Sequence, residues 1–126
     1  MNQPQTANRQ AIWAAGLDVA LLLAFASAGR RNHDERLTVT GVLVVAWPFI
    51  VAWAIAFVAT GLWREPLNPL RAAPAWALAL PLAILGRFLS GRGNDPAFVV
   101  VAAIFTFACL VGWRAIHLKL RRSPAR

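Results

Sequence analysis

Polar and apolar positions separate along this chain into four long apolar runs divided by short charged stretches. The runs are Ala11–Gly29, Leu37–Trp63, Ala72–Ser90 and Pro96–Trp113. None alternates as a barrel strand does, and each is longer than the roughly 10 residues such a strand needs. A helix crosses a hydrocarbon core of roughly 30 Å with about 18 or more mostly apolar residues. Backbone in lipid has to satisfy its own polar groups, which a helix does within one segment. The expected fold is therefore all-α: an integral membrane protein with four transmembrane helices in an up-and-down bundle. The spans fall at about residues 11–29, 38–62, 72–90 and 97–116 of a single domain, 1–126, whose segment 117–126 is a basic tail. Short connections make sequential helices antiparallel neighbours.

The separators fit turns. Gly29-Arg30-Arg31-Asn32-His33-Asp34-Glu35-Arg36 is dense in charge, Arg64–Arg71 holds two prolines and two arginines and is expected to leave the core, and Gly91–Pro96 is turn-forming by composition. Met1–Gln10 is polar and reads as loose chain. Pro48 and Pro81 lie inside spans two and three, where each removes a helical hydrogen bond and is expected to kink its helix. A parallel repeat is suggested by matching ends: Gly29-Arg30-Arg31-Asn32 against Gly91-Arg92-Gly93-Asn94, and Gly61-Leu62-Trp63-Arg64 against Gly112-Trp113-Arg114.

Composition sharpens the picture. The 126 residues are 59% hydrophobic and 14% charged, whereas a soluble domain carries about 25% charge. Lys and Arg number 13 against 5 Asp and Glu, a net charge of +8. In a soluble protein that excess would point to nucleic acid. Here the cations sit in loops and at helix ends, so the expected partners are the bilayer and its anionic headgroups, with no nucleic acid. Cys109, the single cysteine, lies mid-span and reads as a small buried hydrophobe, since it has no mate for a disulfide. The first run resembles a signal peptide at Ala26-Ser27-Ala28, but Arg9 is its only preceding cation and Asp18 interrupts it, so a retained span is expected.

Four spans put both termini and the middle loop on one side, with eight basic residues there (Arg9, Arg64, Arg71, Arg114, Lys119, Arg121, Arg122, Arg126) against five opposite (Arg30, Arg31, Arg36, Arg87, Arg92). The positive-inside rule then places both termini in the cytoplasm. Trp13, Trp63, Trp76 and Trp113 mark the terminus-side interface, as an aromatic belt does, while Trp47 and Trp53 lie deeper as packing residues. Small residues recur at helical spacing in Gly16, Ala20, Ala24 and Ala28, in Ala75, Ala79 and Ala83, and in Ala108 and Gly112. Such stripes allow close helix approach in a homo-oligomer or within the chain.

Asp18 is the sharpest candidate for chemistry. It lies about seven residues into the first span, roughly 10 Å below the interface. A carboxylate there costs a few kcal/mol unless paired, hydrated or protonated, so it faces the bundle interior. It reads either as an ion or proton site or as a structural hydrogen-bond acceptor. Arg87, near the far end of span three, is the second candidate intramembrane polar residue. It either snorkels to headgroups or turns inward toward Asp18, across an axial gap of about 15 Å. Arg30, Arg31, His33 and Arg92 form a candidate polar rim over the mouth opposite the termini, suited to an anion, a headgroup or pH sensing. His33 and His117 fall on opposite sides, so no zinc or haem pair is expected, and no cofactor. With no phosphate loop, no nucleophile–histidine–acid set and no paired carboxylates in a span, the chain is not expected to be an enzyme.

Asp18, Phe25, Gly29-Arg30-Arg31-Asn32-His33, Ala46-Trp47-Pro48-Phe49, Gly86-Arg87, Phe98–Ala102 and Gly112-Trp113-Arg114 together resemble a family of small bacterial membrane proteins, common in actinobacteria and known as domain of unknown function number 3054. The resemblance runs from Asp18 to Arg114. It implies a four-helix fold in a bacterial plasma (inner) membrane and no activity. It marks Asp18, Arg30, His33, Trp47, Pro48, Arg87, Trp113 and Arg114 as signature positions.

Two functions fit these features. One is transport or conduction of a small solute or ion, in an oligomer, with Asp18 as the coupling residue and Arg87 and the rim guiding anions. The alternative is a non-catalytic structural or assembly protein that binds lipid or a membrane partner through its small-residue faces.

Overall fold

The computed structural model of the chain describes residues 3–32, 38–93 and 95–122, with side chains from 8–29, 38–93 and 95–121. Its elements are α1 (Gln3–Asn32), α2 (Val39–Ala59), a short 3-10 turn (Leu62–Arg64), α3 (Pro69–Leu89), α4 (Pro96–Leu110) and α5 (Gly112–Arg122). No strand occurs among the described residues. Four helical stretches are long and apolar enough to cross a membrane: Asn8–Gly29, Val39–Ala59, Pro69–Leu89 and Pro96–Arg121. The all-α, four-helix architecture expected from the apolar runs is the one observed.

Each helix packs on its sequence neighbours, and α4 closes the square against α1. The α2–α3 seam is the most extensive. It is tight at Gly86, where a Cβ would stand 3.2 Å from Cβ of Pro48. The outer surface is apolar as well: Val39, Leu70, Phe88, Leu89 and Ile104 are all exposed. The inner surface is small and aromatic, with Ala72, Ala75, Ala83 and Ala102 buried beside Phe25, Phe49 and Trp53. Helices apolar on every side suit lipid outside and close packing inside.

Local chemistry sets the ends. The Thr38 hydroxyl accepts from the Gly41 N–H at 3.0 Å to cap α2. Asn68 and Asp95 accept from Leu70 and Ala97 (3.0 and 3.1 Å), each followed by a proline at the first helical position. α2 and α3 are followed by Gly61 and Gly91, whose φ values of 74° and 83° are left-handed and favour glycine.

Several details differ from expectation. The first helix begins at Gln3 rather than near Ala11, because Gln, Ala and Arg propagate a helix readily once one is nucleated. The third begins at Pro69, so Arg71 is helical. The middle loop does not simply leave the core: Leu62 and Pro66 are fully buried and roof the terminus-side mouth. The fourth span is interrupted near Val111 and resumes as α5, where the Leu110 carbonyl accepts from the Arg114 side chain at 2.7 Å.

Pro48 and Pro81 both lie within uninterrupted α2 and α3. Pro48 is buried against α3, whereas Pro81 is exposed. The matching ends proposed as a repeat are not equivalent, since Gly29 is inside α1 while Gly91 is left-handed. Ala75, Ala79 and Ala83 are buried, but Gly16, Ala20 and Ala24 are exposed.

Candidate functional site

Asp18 is fully buried, at 0% exposure, and so is Arg114. Their side chains meet as a bidentate pair, Arg114 Nη1 donating to Oδ1 at 2.8 Å and Nη2 to Oδ2 at 2.7 Å. Two indoles complete the carboxylate's shell. Trp113 Nε1 donates to Oδ1 and Trp53 Nε1 to Oδ2, both at 2.8 Å. Each oxygen thus accepts two hydrogen bonds, which uses the roughly four lone-pair sites that an ionised carboxylate offers.

The guanidinium is held as fully. Nε donates to the Pro66 carbonyl at 2.6 Å and Nη1 also to the Leu110 carbonyl. Its carbon stands 4.6 Å from the Trp113 ring centroid and 5.7 Å from that of Trp53, within cation–π range. The fixed planar fork of arginine explains this residue: it serves a carboxylate, a loop carbonyl and a helix carbonyl at once, which an ammonium does not.

The contacts come from three helices and a loop. Asp18 sits on α1, Trp53 on α2, Pro66 in the loop between α2 and α3, and Trp113 and Arg114 on α5. The cluster therefore ties the first, second and last helices to the roof of the bundle. Leu62 and Pro66 close it from above. A charge at hydrocarbon depth costs a few kcal/mol alone; here the opposite charge and six hydrogen bonds from or to the pair offset that cost. No buried side-chain nitrogen or oxygen lacks a hydrogen-bond partner among the described residues.

Residues 15–117 match the model of a family described as protein of unknown function (DUF3054). The chain belongs to this family. No curated protein and no solved structure matches it. For the DUF3054 chain, the match covers every residue of the Asp18–Arg114 cluster.

Arg87 is not brought to Asp18. It is 9% exposed and lies at the opposite mouth, where Nη2 donates to the Gly93 carbonyl at 3.0 Å and its guanidinium stacks 4.0 Å from the Phe98 ring centroid. It turns inward, as the tilt of helical side chains predicts, but toward the start of α4. Of the polar rim, Arg92 is half-buried in the loop before α4. The side chains of Arg30, Arg31 and His33 lie outside the described residues. No group of three or more metal-ligand side chains occurs among the described residues.

Sequence reasoning found Asp18 but missed three of its partners as partners. Trp53 reads as packing, Trp113 as interfacial belt and Arg114 as a terminus-side cation at the end of span four. A usable signal existed: Arg114 follows the apolar run of span four without a break, so its helix holds it against the bundle. Trp13 and Trp63 are half-exposed, as belt residues are. Trp76 instead donates to the Thr106 hydroxyl at 3.0 Å, a second polar tie between α3 and α4.

Proposed function

We propose that the chain is a non-catalytic assembly protein of the bacterial plasma membrane, associating through α1 with a second copy of itself and keeping both termini in the cytoplasm. The observation that carries this reading is the contrast between two stripes. Ala75, Ala79 and Ala83 are consumed inside the bundle, whereas Gly16, Ala20 and Ala24 are left on its surface. A Cβ added at Gly16 would meet nothing within 4 Å. Lipid supplies no hydrophobic drive between helices, so a bare stripe of small residues favours close approach of another helix.

The closed state of Asp18 weighs against transport. A coupling residue exchanges a proton or an ion with a pathway, and a catalytic base needs a free lone pair. This carboxylate is enclosed and accepts four hydrogen bonds. Setting aside the buried Arg114 and Arg87 leaves seven cations on the terminus side against four opposite, a bias that supports cytoplasmic termini.

The test is self-association in bilayers, followed by fluorescence energy transfer as protein density rises. The wild type is expected to form dimers, and Gly16→Ile with Ala20→Ile to weaken them about tenfold or more, or about 1.4 kcal/mol. A wild type that stays monomeric at every density refutes the reading. Solute flux through wild-type liposomes that disappears in a folded Asp18→Asn protein would favour transport instead.

A further inference from the structure

α4 and α5 together make a helical stretch of 26 residues, Pro96–Arg121. At the helical rise that is about 39 Å, against a hydrocarbon core of roughly 30 Å. The stretch starts beside Asp95 and Arg92 at the opposite mouth, so about the last six residues pass out of the core on the terminus side. That end is not polar all round. Ile116 and Leu120, one turn apart on one face, are 62% and 69% exposed. The charged residues of α5 are Arg114, Lys119, Arg121 and Arg122, all cations. A short basic helix with a bare apolar face suits the boundary between acyl chains and headgroups.

A second helix end lies alongside. Trp13 of α1 contacts Trp113 and His117 of α5, with ring centroids 5.6 and 5.9 Å apart. Arg9 stands one turn outward of Trp13, and Arg121 one turn outward of His117, both exposed. Two arginines on different helices are thus brought to the outer edge of one aromatic contact. The acids described in this half of the bundle are already matched: Asp18 is enclosed with Arg114, and Glu65 is bridged to Arg71 at 3.0 Å. Arg64, exposed on the roof loop and 4.9 Å from the Trp63 ring centroid, adds charge of the same sign.

We propose that this face binds acidic phospholipid in the leaflet it meets, with a phosphate between Arg9 and Arg121 and with Ile116 and Leu120 among the upper acyl chains. A planar guanidinium recognises phosphate oxygens as a fork. A zwitterionic headgroup brings its own ammonium to a face that is already cationic, whereas a net-negative one does not. A nucleic acid or a soluble anion would leave Ile116 and Leu120 in water, and a leaflet covers both. The proposal rests on the chain lying in a bilayer and not on self-association, and its readout is lipid selectivity, so the two readings fail separately.

The experiment places the full chain in phosphatidylcholine vesicles with a trace of spin-labelled phosphatidylglycerol or spin-labelled phosphatidylcholine, and measures the share of each that the protein restricts. The wild type is expected to favour phosphatidylglycerol about fivefold, the scale of one cation at an anionic surface. Most of that preference should vanish in 1 M salt, where the Debye length is about 3 Å. Arg9→Gln with Arg121→Gln, both at exposed positions, should bring the ratio close to one. Arg92→Gln, which removes a cation from the opposite mouth, should leave it unchanged. A dye on Leu120→Cys, in a Cys109→Ala background, should be shielded from a soluble quencher. Equal restriction of the two lipids by the wild type, a preference untouched in the double variant, an equal loss in Arg92→Gln, or a dye at position 120 open to the soluble quencher would each overturn the proposal. Full displacement of the lipid by dilute polyglutamate would overturn it too and assign the face to a soluble acidic partner.

Discussion

Asp18 and Arg114 stand 96 residues apart in sequence and meet through two parallel hydrogen bonds of 2.7 and 2.8 Å inside the bundle. α1 and α5 are thereby joined where neither side chain is exposed to solvent. Removing one partner leaves a buried ion alone, which is more costly than removing both.

Arg114→Lys keeps the charge but loses the fork. Lysine cannot bond both carboxylate oxygens and the Pro66 carbonyl in one plane. A loss of about 2–3 kcal/mol is expected, on the scale of charged hydrogen bonds left unmade. Unfolding by denaturant in a fixed detergent, with native helicity confirmed first, measures it.

Trp53→Phe and Trp113→Phe each keep an aromatic ring and delete one indole donor to Asp18. Each should lower stability by about 1.5–3 kcal/mol, the worth of a hydrogen bond to a charged group. Trp47→Phe, at a half-exposed position outside the cluster, is the control and should change little. Thermal unfolding of the three variants side by side gives the comparison.

Gly86 carries no side chain where Pro48 approaches it. Gly86→Ala places a Cβ 3.2 Å from the proline ring and should destabilise modestly. Gly86→Leu should cost about 1–3 kcal/mol or more, as overpacking does. A spin-label distance between α2 and α3, lengthened in the leucine variant, would locate the effect in this seam.

Gly61 links α2 to the loop that roofs the Asp18 site, at φ 74°. Gly61→Ala should cost about 1–2 kcal/mol for the left-handed backbone. Gly29→Ala, within α1 with nothing within 4 Å of an added Cβ, should be neutral or slightly stabilising. Equilibrium unfolding of both tells the two glycines apart.

Much of the fold was legible because lipid imposes a length and an apolarity that each run satisfies by itself. Asp18 was legible for the same reason, since an acid in such a run has few places to go. Its partners were not. Arg114 stands at the edge of a run and close to Lys119, Arg121 and Arg122, so charge counting groups it with them; only α5, which resumes the helix after the break at Val111, carries it back over Asp18. Trp53 has the same apolar value whether it packs or donates. For Arg87 the sequence left open snorkelling to headgroups or turning inward toward Asp18; its contacts, the Gly93 carbonyl and the Phe98 face, lie on the next segments and depend on how the loop before α4 folds. The α1 stripe looks like that of α3 in sequence, and only the assembled bundle separates the buried one from the bare one.

Asp18 and Arg114 act as one structural unit. A double-mutant cycle of Asp18→Asn, Arg114→Gln and the double variant, read as unfolding free energy in one lipid mimetic, tests it directly. Each single variant should lose about 3–5 kcal/mol, and the double variant should lose less than their sum by about 2 kcal/mol or more. Losses that add to within about 0.5 kcal/mol would contradict it.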